Sequence, residues 1–212
     1  MNATNQIHDL PASERFSLAK QKAERMANFL SHHIALHENN AQLVYSPILS
    51  SQIGKSYAAN AFKVVQEGIH HFEIIQLCTF WDPARLNRYS IPTVVKLVDD
   101  PEVINQVFDK VRLQAAMAKA QELINSEQLK SVKNLRDKHL AHQLEYTYAE
   151  QQGTIQPMKY GDEVDLLKET IDIIDALTIG IDGANFDFDE VRYIARNFAD
   201  ALWKGCTIKA LR

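Results

Sequence analysis

Apolar residues recur three and four positions apart through most of this chain and hardly ever alternate, a spacing that predicts helices and almost no strand. Ser13 caps a first helix expected to run to about His37, where Glu38-Asn39-Asn40 breaks the pattern. Ser46-Pro47 reads as an N-cap with proline at the first helical position. Beyond it Leu49, Ile53, Tyr57, Ala61, Val64, Gly68, Phe72 and Ile75 mark a long second helix reaching about Phe80. Asp82-Pro83 ends that helix, and Ser90 caps a short one through about Val98. Asp99-Asp100-Pro101 then opens a third long helix lined by Val103, Val107, Val111, Ala115 and Ala118. Asn125-Ser126 interrupts it, and Ser126 caps a further helix expected to end near Tyr146. Glu150 to Tyr160 reads as a loop, followed by helices from about Glu163 to Leu177 and Glu190 to Trp203 on either side of a Gly180 to Gly183 turn. The fold class expected is all-α, an antiparallel helical bundle with extra helices at both ends.

The Ser126 helix breaks the apolar rule in an informative way. At about 100° per residue from Leu129, Val132, Leu135, Leu140 and Leu144 form one stripe, and Arg136, His139 and His142 fall in or beside it at about 340°, 280° and 220°. A solvated charge belongs on the opposite face. Arg136 therefore needs a partner, a cavity or a shared interface to offset its desolvation. Asp137, at about 80°, is expected to point away from the trio.

Composition narrows the classes. With 212 residues, 46% of them hydrophobic, and only 7 Gly and 6 Pro, the chain is long enough for a real core and too poor in turn formers for a β-rich or disordered protein. Two cysteines, Cys78 and Cys206, cannot make a disulfide framework. No signal-like pattern opens the chain and no apolar run approaches the ~18 residues of a membrane span, so a soluble cytoplasmic protein is expected. The net charge of −4 argues against an extended nucleic-acid surface. Charge is local instead: from Lys130 to His142, Lys130, Lys133, Arg136 and Lys138 face Asp137 alone, a net of +3. An RNA phosphate would be least repelled there.

The run Arg136-Asp137-Lys138-His139-Leu140-Ala141-His142 resembles the RNase motif of HEPN domains, an arginine and a histidine four to six residues apart. Phe80-Trp81-Asp82 followed by Ser90 to Val98 is similar to the loop and short helix ahead of the motif in the AbiU-like branch of abortive-infection HEPN proteins. Lys159-Tyr160-Gly161-Asp162-Glu163 is similar to the element after it. The resemblance spans roughly residues 40 to 180. It implies a metal-independent, cofactor-free endoribonuclease of prokaryotic defence or toxin-antitoxin type, with RNA as substrate, an antitoxin protein as a partner and no membrane association. It also implies a homodimer. On a straight helix Arg136 and His142 lie roughly 9 Å apart along the axis and about 120° apart around it, so two copies are needed to converge on one phosphate.

Within that resemblance Arg136 stabilises the transition state and His142 serves as general acid or base. Asp137 takes the polar position after the arginine, and Lys133, Lys138 and His139 are auxiliary RNA contacts. Guanidinium grips phosphate oxygens in a planar fork and imidazole titrates near neutrality, so both residue types suit the chemistry. The domain organisation expected is an N-terminal helix over 1–40, packed on the core or facing a partner, a HEPN-like bundle over 41–180, and a C-terminal helix over 181–212 in the same domain. Other readings stay open: an intramolecular salt bridge for Arg136, a helix-end role for His142, a catalytically inactive HEPN module that binds nucleotide or protein, and a metalloprotein using His33 and His37 or His70, His71 and Glu73, neither of which is a complete ligand set.

Overall fold

The computed structural model describes residues 5–45, 51, 53, 59–141, 146–159 and 161–205. It is all-α, with no strand among the described residues. The helices are α1 (Asn5–His8), α2 (Ala12–Tyr45), α3 (Ala59–Thr79), α4 (Ile91–Val98), α5 (Pro101–Ile104), α6 (Lys110–Ile124), α7 (Glu127–Leu135), a π-helical turn (Arg136–Ala141), α8 (Tyr148–Gln151), α9 (Asp162–Asp182) and α10 (Phe188–Gly205). They form two compact units, residues 1–29 with 75–186, and residues 30–74 with 187–212.

In the larger unit α6, α7 and α9 pack on one another through Leu113, Leu129, Val132, Leu166, Ile173 and Leu177, all essentially inaccessible. Trp81 lies among the largest buried side chains, its indole N–H donating to Thr170 Oγ1 at 2.9 Å. Burial of an aromatic this size requires such a partner for its one polar atom. Ser90, Asp109 and Ser126 precede α4, α6 and α7, and the last two cap through their side chains.

The smaller unit is held by polar groups that the sequence pattern reads as a break. Helix α2 runs on through Glu38-Asn39-Asn40 to Tyr45 because these side chains find distant partners, and the Asn39 amide also donates back to Ala35 O at 2.9 Å without breaking the helix. Glu38 takes Arg196 (3.0 Å) and Arg192 (3.4 Å), and Asn39 accepts from the Trp203 indole at 3.0 Å. Asn40 donates to the buried Glu73 carboxylate, which His37 Nδ1 meets at 2.6 Å. Burial alone would raise the Glu73 pKa, but His37, Asn40 and the nearby His33 hold it below its ordinary value.

Two other expectations change. The third long helix is two, α5 and α6, because Asp109 Oδ1 accepts from Arg112 N at 3.0 Å and restarts the helical phase. Leu113, Ala116, Ala120 and Leu123 are buried in α6, while Val111, Ala115 and Ala118 are exposed. The turn expected over Gly180 to Gly183 begins only at Gly183, whose φ of 74° ends α9. Gly180 serves packing: an added Cβ would sit 3.0 Å from the Leu113 backbone and Cβ. The start of the second helix at Ser46-Pro47 lies outside the described residues, and along the described part of α3 Val64 and Phe72 are exposed. No helix among the described residues is long and apolar enough to cross a membrane.

Gly180→Ala tests the close crossing. Helix propensity alone favours alanine by about 1 kcal/mol, yet forcing a methyl group into a filled contact costs roughly 1–3 kcal/mol. The variant is expected to unfold at lower urea concentration than the parent, and equal or greater stability would refute this role for the glycine.

Candidate functional site

Arg136 is the first residue of the π turn. Ser126 starts α7 with its hydroxyl on Leu129 N at 3.1 Å, and α7 remains regular to Leu135. From Arg136 to Ala141 the hydrogen bonds widen to the π pattern, so less rotation accrues per residue than in an α-helix. The angular register of 100° per residue fails beyond Arg136, where the expected straight helix gives way to the π turn, and residues 142–145 of its expected course lie outside the described residues. Single π turns recur at functional positions because they redirect side chains that a regular helix would stack.

The Arg136 side chain is 26% exposed. Its Nε donates to Asp137 Oδ1 at 2.9 Å and its Nη1 lies 3.5 Å from Asp82 Oδ1. Asp137 thus turns toward the arginine rather than away from it, a correction to the straight-helix projection. Burial pulls the Arg136 pKa down, but Asp137 and the other negative groups around it outweigh that and leave it above its ordinary value. The guanidinium stays charged.

Asp82 stands in the loop between α3 and α4, and its other oxygen takes Arg88 Nη1 at 2.5 Å. Lys133, one turn before Arg136, donates its ammonium to the Trp81 carbonyl at 2.7 Å, and burial lowers its pKa. Lys138 is paired with Glu150 at 2.9 Å and lies over the Tyr146 ring at 5.1 Å. Glu150 also accepts from Asn134 and from Thr147 N, tying the π turn to α8. Both lysines expected to contact RNA are therefore bonded within the fold. The side chain of His139 and the whole of His142 lie outside the described residues.

Cys78 is fully buried, and its thiol is pushed up to about 12, chiefly by burial and despite the nearby cations of Arg136 and Lys133. It is no nucleophile. Among the described residues no group of three or more His, Cys, Asp or Glu side chains could hold a metal ion, and His37 is engaged by Glu73.

Together these contacts make a cationic site of Arg88, Lys133 and Arg136 around Asp82 and Asp137. Over residues 18–202 the sequence matches the family described as AbiU2, HEPN_AbiU2. The chain belongs to the AbiU2 family of HEPN proteins. The match reaches beyond the stretch from 40 to 180 that carries the resemblance. No curated protein and no solved structure matches the chain. In this AbiU2 protein, Asp82 and Arg88 join the Arg136 cluster without having been candidates in the sequence. The aspartate reads as a helix stop before Pro83, and a lone arginine in a short loop carries no periodic signal.

The buried Cys78 thiol gives a direct check of the packing behind the site. Iodoacetamide at pH 8 is expected to leave the Cys78 peptide unmodified in the native protein and to alkylate it once urea unfolds the chain, as read by mass spectrometry. Rapid native alkylation at Cys78 would show that the wall behind Arg136 is open.

Proposed function

We propose that this AbiU2 protein is a metal-independent HEPN endoribonuclease of prokaryotic defence or toxin-antitoxin type. RNA is cleaved by attack of its own 2′-hydroxyl, leaving a 2′,3′-cyclic phosphate and a 5′-hydroxyl, at a composite site formed in a homodimer. The observation that carries this reading is the part-exposed Arg136 guanidinium, at the start of a π turn, in a locally cationic site of a HEPN family member.

Arg136 stabilises charge on the phosphorane as a planar, permanently charged donor. His142 moves the proton, as base toward the 2′-hydroxyl or acid toward the 5′-oxygen. Asp137 orients Arg136 through Nε and leaves the far edge of the fork for phosphate. Lys133 and Lys138 are auxiliary RNA contacts, each ammonium held in place by its bond to Trp81 O or Glu150 and keeping further N–H donors. The second copy supplies the convergence that one motif lacks, and a cognate antitoxin would hold such an activity in check.

A second reading, an inactive HEPN module that binds nucleotide or protein, is favoured by one specific observation: Arg136 already faces two carboxylates, Asp82 and Asp137. An RNA-cleavage assay with end-group analysis separates the two. Arg136→Ala is expected to lower the cleavage rate at least about 10²-fold, and Arg136→Lys to fail as well because a point charge does not replace the fork. Cleavage that survives both substitutions would move the chemistry elsewhere.

His142→Ala should abolish most activity with the helical circular dichroism intact, while His139→Ala does less damage. Activity should depend on pH over roughly 6 to 8, where imidazole changes charge, and persist in chelator. A chelator-sensitive activity that tolerates loss of His142 overturns the mechanism. The protein should sediment as a dimer at micromolar concentration, and a monomer that cleaves RNA would remove the composite site.

A further inference from the structure

Arg88 belongs to no helix, yet its backbone is held by other side chains. Its own carbonyl and that of Leu86 both accept from the Lys22 ammonium, at 3.0 and 2.7 Å. Lys22 is almost wholly buried, and the same ammonium lies 4.6 Å above the Tyr89 ring. Tyr89 in turn packs edge-on against Phe29 with ring centroids 5.8 Å apart. At one end of the loop Ile91 N reaches Phe80 O at 2.8 Å. Inside it Thr93 Oγ1 bonds both the N–H and the carbonyl of Arg85. A surface arginine normally loses much rotamer entropy when it fixes a ligand. Here the loop backbone that carries Arg88 is fixed in advance, so binding carries no cost of loop ordering, and the side chain is already directed by Asp82.

The two arginines share one anion unequally. Arg88 holds Asp82 at 2.5 Å, whereas Arg136 reaches it only at 3.5 Å, the outer limit of a hydrogen bond. Two guanidiniums on either side of one two-oxygen anion is the arrangement in which a phosphodiester, with its two non-bridging oxygens, would bind.

We infer that Arg88 is a second phosphate-binding guanidinium of the site, and that Asp82 is the internal anion it shares with Arg136 until the phosphodiester of single-stranded RNA takes the carboxylate's place. This rests on the endoribonuclease reading above. It adds a substrate-binding residue that the Arg136-to-His142 motif does not contain, and it gives Asp82 a role opposed to binding. Removing the carboxylate leaves three cations facing Asp137 alone, so affinity for an anion rises. Removing Arg88 leaves Asp82 to turn wholly toward Arg136, so affinity falls on both counts.

The test uses the full chain and a fluorescent 2′-O-methyl oligoribonucleotide, whose capped hydroxyl cannot attack, with anisotropy measured over a range of salt concentrations. Arg88→Ala is expected to weaken binding about tenfold, the scale of one charge-assisted contact, and to flatten the slope of log affinity against log salt by about 0.7. Asp82→Asn, which keeps both arginines, is expected to tighten binding severalfold.

Wild-type affinity and slope in Arg88→Ala would overturn the inference. So would Asp82→Asn weakening binding in parallel with a lowered melting temperature, since the pair would then be structural only. Absence of binding by both wild type and Asp82→Asn would also overturn it. If the wild type binds the probe as described but leaves unmodified RNA of the same sequence intact, the endoribonuclease reading fails and the Arg88 site stands. If it cleaves that RNA and Arg88→Ala binds and cleaves equally well, Arg88 fails and the reading stands.

Discussion

A half-buried ammonium spent on a main-chain carbonyl holds the arginine site together. Lys133 donates to Trp81 O at 2.7 Å, and the Trp81 indole is fixed on Thr170 of α9. The segment leading into Asp82 is thus pinned to α7 and α9 at once. A charged donor on a carbonyl contributes about 1.5–3 kcal/mol, enough to keep a loop in one position rather than several. Asp82 is the next residue along, so the same bond decides where the carboxylate meets Arg136. Lys22 does the equivalent service 66 residues away in sequence, at Arg88 O. In both cases burial works against the ammonium and lowers its pKa, and the carbonyl partners are what make the position tolerable.

These lysines also show where reading the sequence succeeds and where it stops. Local signals were legible because they are local. Ser90 and Ser126 each stand just before the helix they were expected to open, Asp100 opens only the four-residue α5 while the long helix starts after Asp109, and the HEPN resemblance led to the family that residues 18–202 match. Other failures come from distant partners. Glu38-Asn39-Asn40 looks like a helix stop until Arg192, Arg196, Trp203 and Glu73 are brought to it. Gly180 looks like a turn until Leu113 is found 3.0 Å from its missing Cβ. The bonds of Lys133 to Trp81 O and of Lys138 to Glu150 have no signal in the sequence either.

For the candidate site the limit was geometric. Projecting positions at a constant 100° is sound over Leu129 to Leu135 and placed Arg136 correctly beside the buried face. The widening at Arg136 is invisible to such a projection, because a π turn has no composition of its own. A projection of positions also misses how long adjacent side chains bend toward each other, as Asp137 does in bonding Arg136 Nε. That bond fixes one edge of the guanidinium and aims the other, which is the kind of orientation a phosphate-gripping arginine needs and a merely solvated one does not.

Whether Asp82 acts as a lock or as a weak competitor is decided by magnitude. Two unit charges about 4 Å apart attract by about 4 kcal/mol at an effective dielectric of about 20, which would make the carboxylate hard to displace. Arg88, Arg136 and Asp82 are each about a quarter to a third exposed, however, and ion pairs that solvent reaches retain at most about 1 kcal/mol. The weaker figure governs here, and less of it still falls on the 3.5 Å contact to Arg136. A tethered carboxylate nevertheless has the advantage of high effective concentration, so a lone phosphate gains little by exchanging with it. A polyanion that contacts several cations at once gains at each one. On the endoribonuclease reading proposed above, this balance favours a strand of nucleic acid over a free mononucleotide as the ligand of such a site.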